Sequence, residues 1–181
     1  MKAEQNSLHA DAPTRPTEAL EGGIVDPPVE AAGPGDAATE RLALRVGDLC
    51  LLCDPDLGRE VILPPSVTPL PHTPEWLQGV ASVRGALVPV IDPARLFGVG
   101  RYREHRGYLL ISGTGEDAIG LLVDGLPVLE RFETGERLAG VPPHPGPLDG
   151  HVRGAYHRGG AVWLDVDVQS VFAMLGTQIA A

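Results

Sequence analysis

From Arg41 onward the chain is cut into short apolar segments, and how soon each one ends limits what it can build. "RLALRV", "LCLLC", "YLLIS", "AIGLLVDG", "LPVLERF", "HVRGAY" and "AVWLDV" are rich in Leu and Val and are closed within a few residues by Gly, Pro or Asp. Segments this short suit strands, and punctuation this frequent points to small barrels or a sandwich rather than to βαβ units. The expectation is an all-β protein. In the first segment Leu42, Leu44 and Val46 alternate with Arg41, Ala43 and Arg45, and Gly47-Asp48 then offers a two-residue II′ connection into "LCLLC". A β-hairpin therefore opens the folded part.

Helices are expected to be few and brief. In "HTPEWLQG" Thr73 can cap, Pro74 suits the first helical position and Gly79 can close the turn once Trp76 and Leu77 have faced the core. "DPARLFG" repeats the pattern with Asp92, Pro93 and Gly98. Val168, Val171, Phe172 and Leu175 follow helical spacing, and Gly176 is expected to end this one longer, closing helix.

Residues 1–40 differ from the rest. They carry Glu4, Asp11, Glu18, Glu21, Asp26, Glu30, Asp36 and Glu40 against only Lys2 and Arg15, and they contain no aromatic residue. Such a segment cannot bury enough surface to offset its ordering entropy and reads as a disordered acidic tail. A net charge of −10 argues against a phosphate-binding surface, so nucleic acid is not an expected partner. The start lacks an apolar core of signal-peptide length and no aliphatic run could cross a bilayer, so a cytoplasmic protein without membrane insertion is expected.

Two motifs could carry chemistry. Cys50 and Cys53 form a Cys-x-x-Cys pair, but the pair lies inside a strand, where residues three apart face opposite sides and no helix N-terminus activates a thiol. His144, His151 and His157 fall close together without the thiol pair or carboxylate-His motif of a metal site. "LISGTGEDAIG" has strand on both sides and no following helix, so its glycines read as a hairpin loop. No catalytic residue, metal or cofactor is expected. The remaining question is Arg84, alone at what reads as the tip of a hairpin in "LQGVASVRGALVPVID". It could be simply solvated there or be presented to another molecule. "VRGALVPVIDPARLFG" (83–98) is echoed by "VRGAYHRGGAVWLDVDVQSVFAMLG" (152–176), which suggests two similar β subdomains with a seam near 99–107.

"REVILPPSVTPLPHTPEWLQGVASVRGALVPVIDPARLFG" (59–98) resembles the CheW-like chemotaxis coupling proteins. It shows a Glu opening a mostly apolar stretch, Pro-x-aromatic-aliphatic-x-Gly-Val, an Asn-Leu-Arg-Gly-like turn and Val-Pro-Val-Ile-Asp. "AIGLLVDGLPVLERF" and "VRGAYHRGGAVWLDV" resemble later strands of the same family. Departures are Ser82 where Asn is usual, Val83 for Leu, Pro93 for Leu, and a small insertion at "DPDLG". The resemblance implies two small SH3-like β-barrels with short helices and a C-terminal helix over residues 41–178. It implies a non-catalytic adaptor linking the cytoplasmic tip of a methyl-accepting chemoreceptor to the regulatory domain of a CheA-type histidine kinase. Family receptor contacts map to Glu60 and Arg84, with Val80 and Val88 expected to supply the apolar contact, while Arg153 in the second Val-Arg-Gly-Ala is expected to be structural. The alternatives are a family member that binds the kinase but not receptors and, from another class, a thiol redox or metal enzyme on a β-barrel.

Overall fold

The computed structural model describes residues 38–100 and 107–179; the acidic segment of residues 1–37 lies outside them. The opening hairpin forms as expected. β1 (Thr39–Val46) and β2 (Leu49–Cys53) pair antiparallel with Val46 opposite Leu49, and Gly47 takes φ +55°. β1 starts two residues before Arg41 because Thr39 and Glu40 already pair with Phe132 and Arg131.

The remaining strands are β3 (Glu60–Ile62), β4 (Val67–Thr68), β5 (Leu77–Val83), β6 (Ala86–Ile91), β7 (Gly107–Ser112), β8 (Ile119–Asp124), β9 (Val128–Phe132), β10 (Val152–Arg158) and β11 (Ala161–Val166). They form two sheets, one in the order β10-β11-β2-β1-β9 and the other β3-β7-β8-β6-β5-β4. Both curl. In the first, Leu138 after β9 donates its N–H to the Ala155 carbonyl at 2.8 Å and Arg137 bridges Tyr156, so the chain returns from one edge strand to the other. In the second, edge strands β3 and β4 are joined by residues 63–66 alone. Five Cα steps reach at most about 18 Å, whereas six flat strands would separate those edges by about 24 Å. Only a curled sheet satisfies both.

Three apolar clusters fill this frame. Ala81, Val88, Val90, Leu109 and Ile111 lie inside the second sheet, and Ala43, Leu52, Phe132 and Tyr156 inside the first. The largest cluster joins both sheets: Leu44, Val46, Leu51 and Cys53 meet Ile91, Leu110, Leu121 and Val123, covered by Val171 and Leu175. Most of the seam expected near 99–107 lies outside the described residues, and β6 and β7 on either side of it belong to one sheet. The chain changes sheets between β2 and β3 and between β8 and β9. The echo holds for the order hairpin, Asp, helix but not for its first residues, because Arg84 lies in a turn whereas Arg153 and Gly154 lie within β10.

Of the expected helices, α1 (Pro93–Phe97) forms as read. Asp92 accepts from the N–H groups of Ala94 and Arg95, and Gly98 closes the helix at φ +66°. "HTPEWLQG" does not form one. Leu77 donates to the Pro74 carbonyl in a single turn, then pairs with Ile91 as the first residue of β5, so tertiary pairing overrides a local preference of one turn. Gly79 sits at a bulge with φ +133°, where a Cβ would lie 2.0 Å from the Thr68 carbonyl oxygen. Trp76 and Leu77 are nonetheless buried, as expected. α2 (Val168–Ile179) runs past Gly176, which lowers helix stability by roughly 1 kcal/mol relative to Ala without terminating it. Val171 and Leu175 are buried, while Val168 and Phe172 flank them half-buried.

Candidate functional site

Two residues connect β5 to β6, with Val83 paired to Ala86 across them. Both take positive φ, +50° at Arg84 and +85° at Gly85, which is the I′ geometry that matches strand twist. Glycine does this freely. An arginine in the left-handed region costs about 1–2 kcal/mol, so the backbone is strained at the residue the sequence singles out. The result is a presented guanidinium: the Arg84 side chain is 79% exposed, and its Nη2 donates to Glu60 Oε1 at 2.7 Å. Glu60 stands at the start of β3, 29% exposed, so the structure brings these two expected site residues together.

The apolar partners divide. Pairing sets Val80 opposite Pro89 and Ser82 opposite Leu87 on the outer face of the hairpin, and Ala81 opposite Val88 on the inner face. Val80 is half-buried on the outer face, three residue pairs back from Arg84's turn. Val88 is 1% exposed and packs inside the curled sheet, so the expectation that it supplies a groove contact is corrected. The outward residue is its neighbour Leu87, 72% exposed. A two-residue turn at Arg84-Gly85 fixes this register, and the polar Ser82 opposite Leu87 was the available signal.

Arg153 behaves as the structural residue it was read to be. Its Nη1 and Nη2 reach Asp54 at 3.1 and 3.0 Å, and Nη2 also reaches Asp165 at 3.2 Å and the Val166 carbonyl at 3.3 Å. The hydrogen bond to Asp54 holds its pKa above the ordinary arginine value. Asp165 is 5% exposed and receives Arg41 Nε as well, so β1, β10 and β11 are tied together at one carboxylate.

The thiols and imidazoles stay apart. Leu51 and Cys53 enter the shared core while Leu52 faces Phe132, so Cys50, in step with Leu52, points away from Cys53. Burial pushes both thiols up, Cys53 most strongly, and leaves them protonated at neutral pH. His144 contacts the Pro142 carbonyl and Asp149, His151 contacts Ser170, and His157 is exposed. Among the described residues no group of His, Cys, Asp and Glu is disposed to hold a metal ion. Among them too, no helix is long and apolar enough to cross a membrane.

The family model for the CheW-like domain matches residues 42–175, which takes in both curled sheets and the start of α2. The chain belongs to the CheW-like domain family. It is 34% identical to Protein FrzA of Myxococcus xanthus over 112 residues, 61% of this chain and 66% of that one. It is 32% identical to Protein PilI of Pseudomonas aeruginosa over 101 residues, 55% of this chain and 56% of the relative. The match thus spans less than two thirds of these relatives' lengths. Among solved structures, the scaffolding protein TtCheW from Thermoanaerobacter tengcongensis superposes with a TM-score of 0.61 at 21% identity, covering 75% of this chain and 88% of that one. The CheW-like fold is therefore all-β here, with both helices peripheral to the sheets.

Proposed function

We propose that this CheW-like protein is a non-catalytic, cytoplasmic coupling adaptor that holds a chemoreceptor tip against the regulatory domain of a CheA-type histidine kinase in motility signalling. The observation that carries the reading is the Arg84 turn. A protein that needed only a hairpin there would place Asn or Gly at a position with φ +50°. This one bears the strain of an arginine, holds it with Glu60 and exposes Leu87 near the same end of the hairpin. Backbone strain that local structure does not require is the mark of a presented group. Arg84 supplies a fork suited to a receptor carboxylate, and Leu87 and Val80 supply the apolar contact.

Pull-downs with the kinase's regulatory domain and with a receptor cytoplasmic fragment test this reading. Arg84→Glu is expected to keep the kinase and lose the receptor, since reversing a charge opposite a carboxylate replaces attraction with repulsion. Arg153→Glu is the control: its partners are Asp54 and Asp165, so it is expected to lose stability before binding. A folded Arg84→Glu protein with undiminished receptor affinity would remove Arg84 from the site.

A further inference from the structure

The outer row that holds Val80 and Pro89 continues across the second sheet. Parallel pairing of β6 with β8 matches Val90 with Gly120, which sets Pro89 beside Ile119, and β8 in turn matches Ile119 with Ser112 on β7. Val80, Pro89, Ile119 and Ser112 therefore share one face, opposite to Val88, Leu109 and Ile111 inside the curled sheet. Next to this row α2 places Phe172 and Gln169, and between them runs an open trough of about 620 Å³ with Glu116 and Asp117 on its rim.

The trough has polar groups as well. Ser112 is 4% exposed, faces the same side as Leu110 and lines the trough. Gln169, Glu116 and Asp117 are exposed, and the two carboxylates form no ion pair with any described residue. The Ser112 hydroxyl opens on the trough, where a bound segment could take the place of water as its partner. The strands here are paired on both sides, so no free main-chain edge invites an added strand. Recognition must then come from side chains on a sheet face, the kind of surface on which an amphipathic helix packs. The three strands that line the trough, at about 4.8 Å spacing, span about 10 Å, which matches about two turns of helix.

We propose that this trough is a second arm of the receptor-facing surface and takes a basic amphipathic helical segment of the receptor. Apolar side chains of that helix pack on Pro89, Ile119 and Phe172, a lysine or arginine faces Glu116 and Asp117, and Ser112 and Gln169 bond its polar groups. The proposal rests on the receptor-coupling reading and adds the charge of the receptor segment, set by an acidic rim that Arg84 does not provide.

The test is a titration of the double variant Glu116→Lys/Asp117→Lys with a chemoreceptor cytoplasmic fragment at low and high salt, beside wild type and Arg84→Glu. The expected result is about tenfold weaker binding than wild type at low salt, a difference that shrinks as salt rises, with kinase binding unchanged. In parallel, Gln169→Cys labelled with a benzophenone maleimide is expected to crosslink to the fragment on irradiation. The buried Cys50 and Cys53 leave the introduced thiol as the reactive one. If Arg84→Glu loses the receptor while the double variant binds like wild type at every salt, or if the bound fragment does not crosslink, the trough is overturned and the coupling reading stands. If wild type fails to bind the fragment, both fall.

Discussion

Leu87 and Val88 are neighbours on one strand that face opposite sides, and truncating each to alanine should have opposite consequences. Val88→Ala removes two methyl groups from a site 1% exposed among Ala81, Val90, Leu109 and Ile111. At about 0.8 kcal/mol per buried carbon, transfer accounts for about 1.6 kcal/mol, and a cavity of about 40 Å³ adds about 1 kcal/mol. The expected loss is thus about 2.5 kcal/mol. Leu87→Ala removes three carbons from a residue 72% exposed. About a quarter of that contact is protein-facing, so the loss should be about 0.6 kcal/mol, with no cavity. Urea unfolding followed by circular dichroism reads both, and titration with a receptor fragment reads the converse. Leu87→Ala should weaken receptor binding by about tenfold, while Val88→Ala, in the fraction that remains folded, should bind normally. If Leu87→Ala costs more than about 1.5 kcal/mol, or Val88→Ala less than about 0.5 kcal/mol, the inner and outer faces have been assigned the wrong way round.

Three further outcomes follow from particular residues. Arg84→Gly should be more stable than Arg84→Ala by about 1 kcal/mol, because both remove the exposed ion pair but only glycine relieves φ +50°; equal midpoints in urea would deny the strain. Glu136, bonded by Arg158 and by the Glu133 N–H, has its pKa held down at about 2. Its folded value lies below its unfolded one, so its contribution is complete above the ordinary carboxylate value and is lost as pH falls. Glu136→Gln should flatten the stability profile between about pH 5 and pH 2, and an unchanged profile would contradict the pairing. Trp163 buries its Nε1 without an acceptor, so Trp163→Phe removes a desolvation cost of about 1–3 kcal/mol against about 1 kcal/mol of lost ring area. Calorimetry should show no loss of Tm.

The all-β class, the opening hairpin and α1 were legible because each depends on residues adjacent in sequence, such as Gly47-Asp48 at the first turn and Asp92, Pro93 and Gly98 around the helix. Arg84 was legible for the same reason: a lone charge before a glycine, between two apolar runs, stands out in a short window. The misreadings share a cause of the opposite kind. Leu77 became a strand residue because Ile91 pairs with it, and Val88 turned inward because the register across Arg84-Gly85 set it opposite Ala81. The sheet boundary could not be seen at all, since β9, β10 and β11 join the opening hairpin across more than 70 residues of intervening chain. The row from Val80 to Ser112 crosses four strands, one of them parallel, and no local pattern encodes such an alignment.

Coupling itself is tested most directly by reconstitution. Kinase autophosphorylation is followed in receptor-containing membranes with and without this protein, and with receptor ligand added. Receptor-controlled phosphorylation is predicted to require the wild-type protein, to be suppressed or raised by the receptor's ligand only in its presence, and to be lost with Arg84→Glu while the variant still binds the kinase. Kinase activity that responds to receptor ligand equally well without the protein would contradict the account.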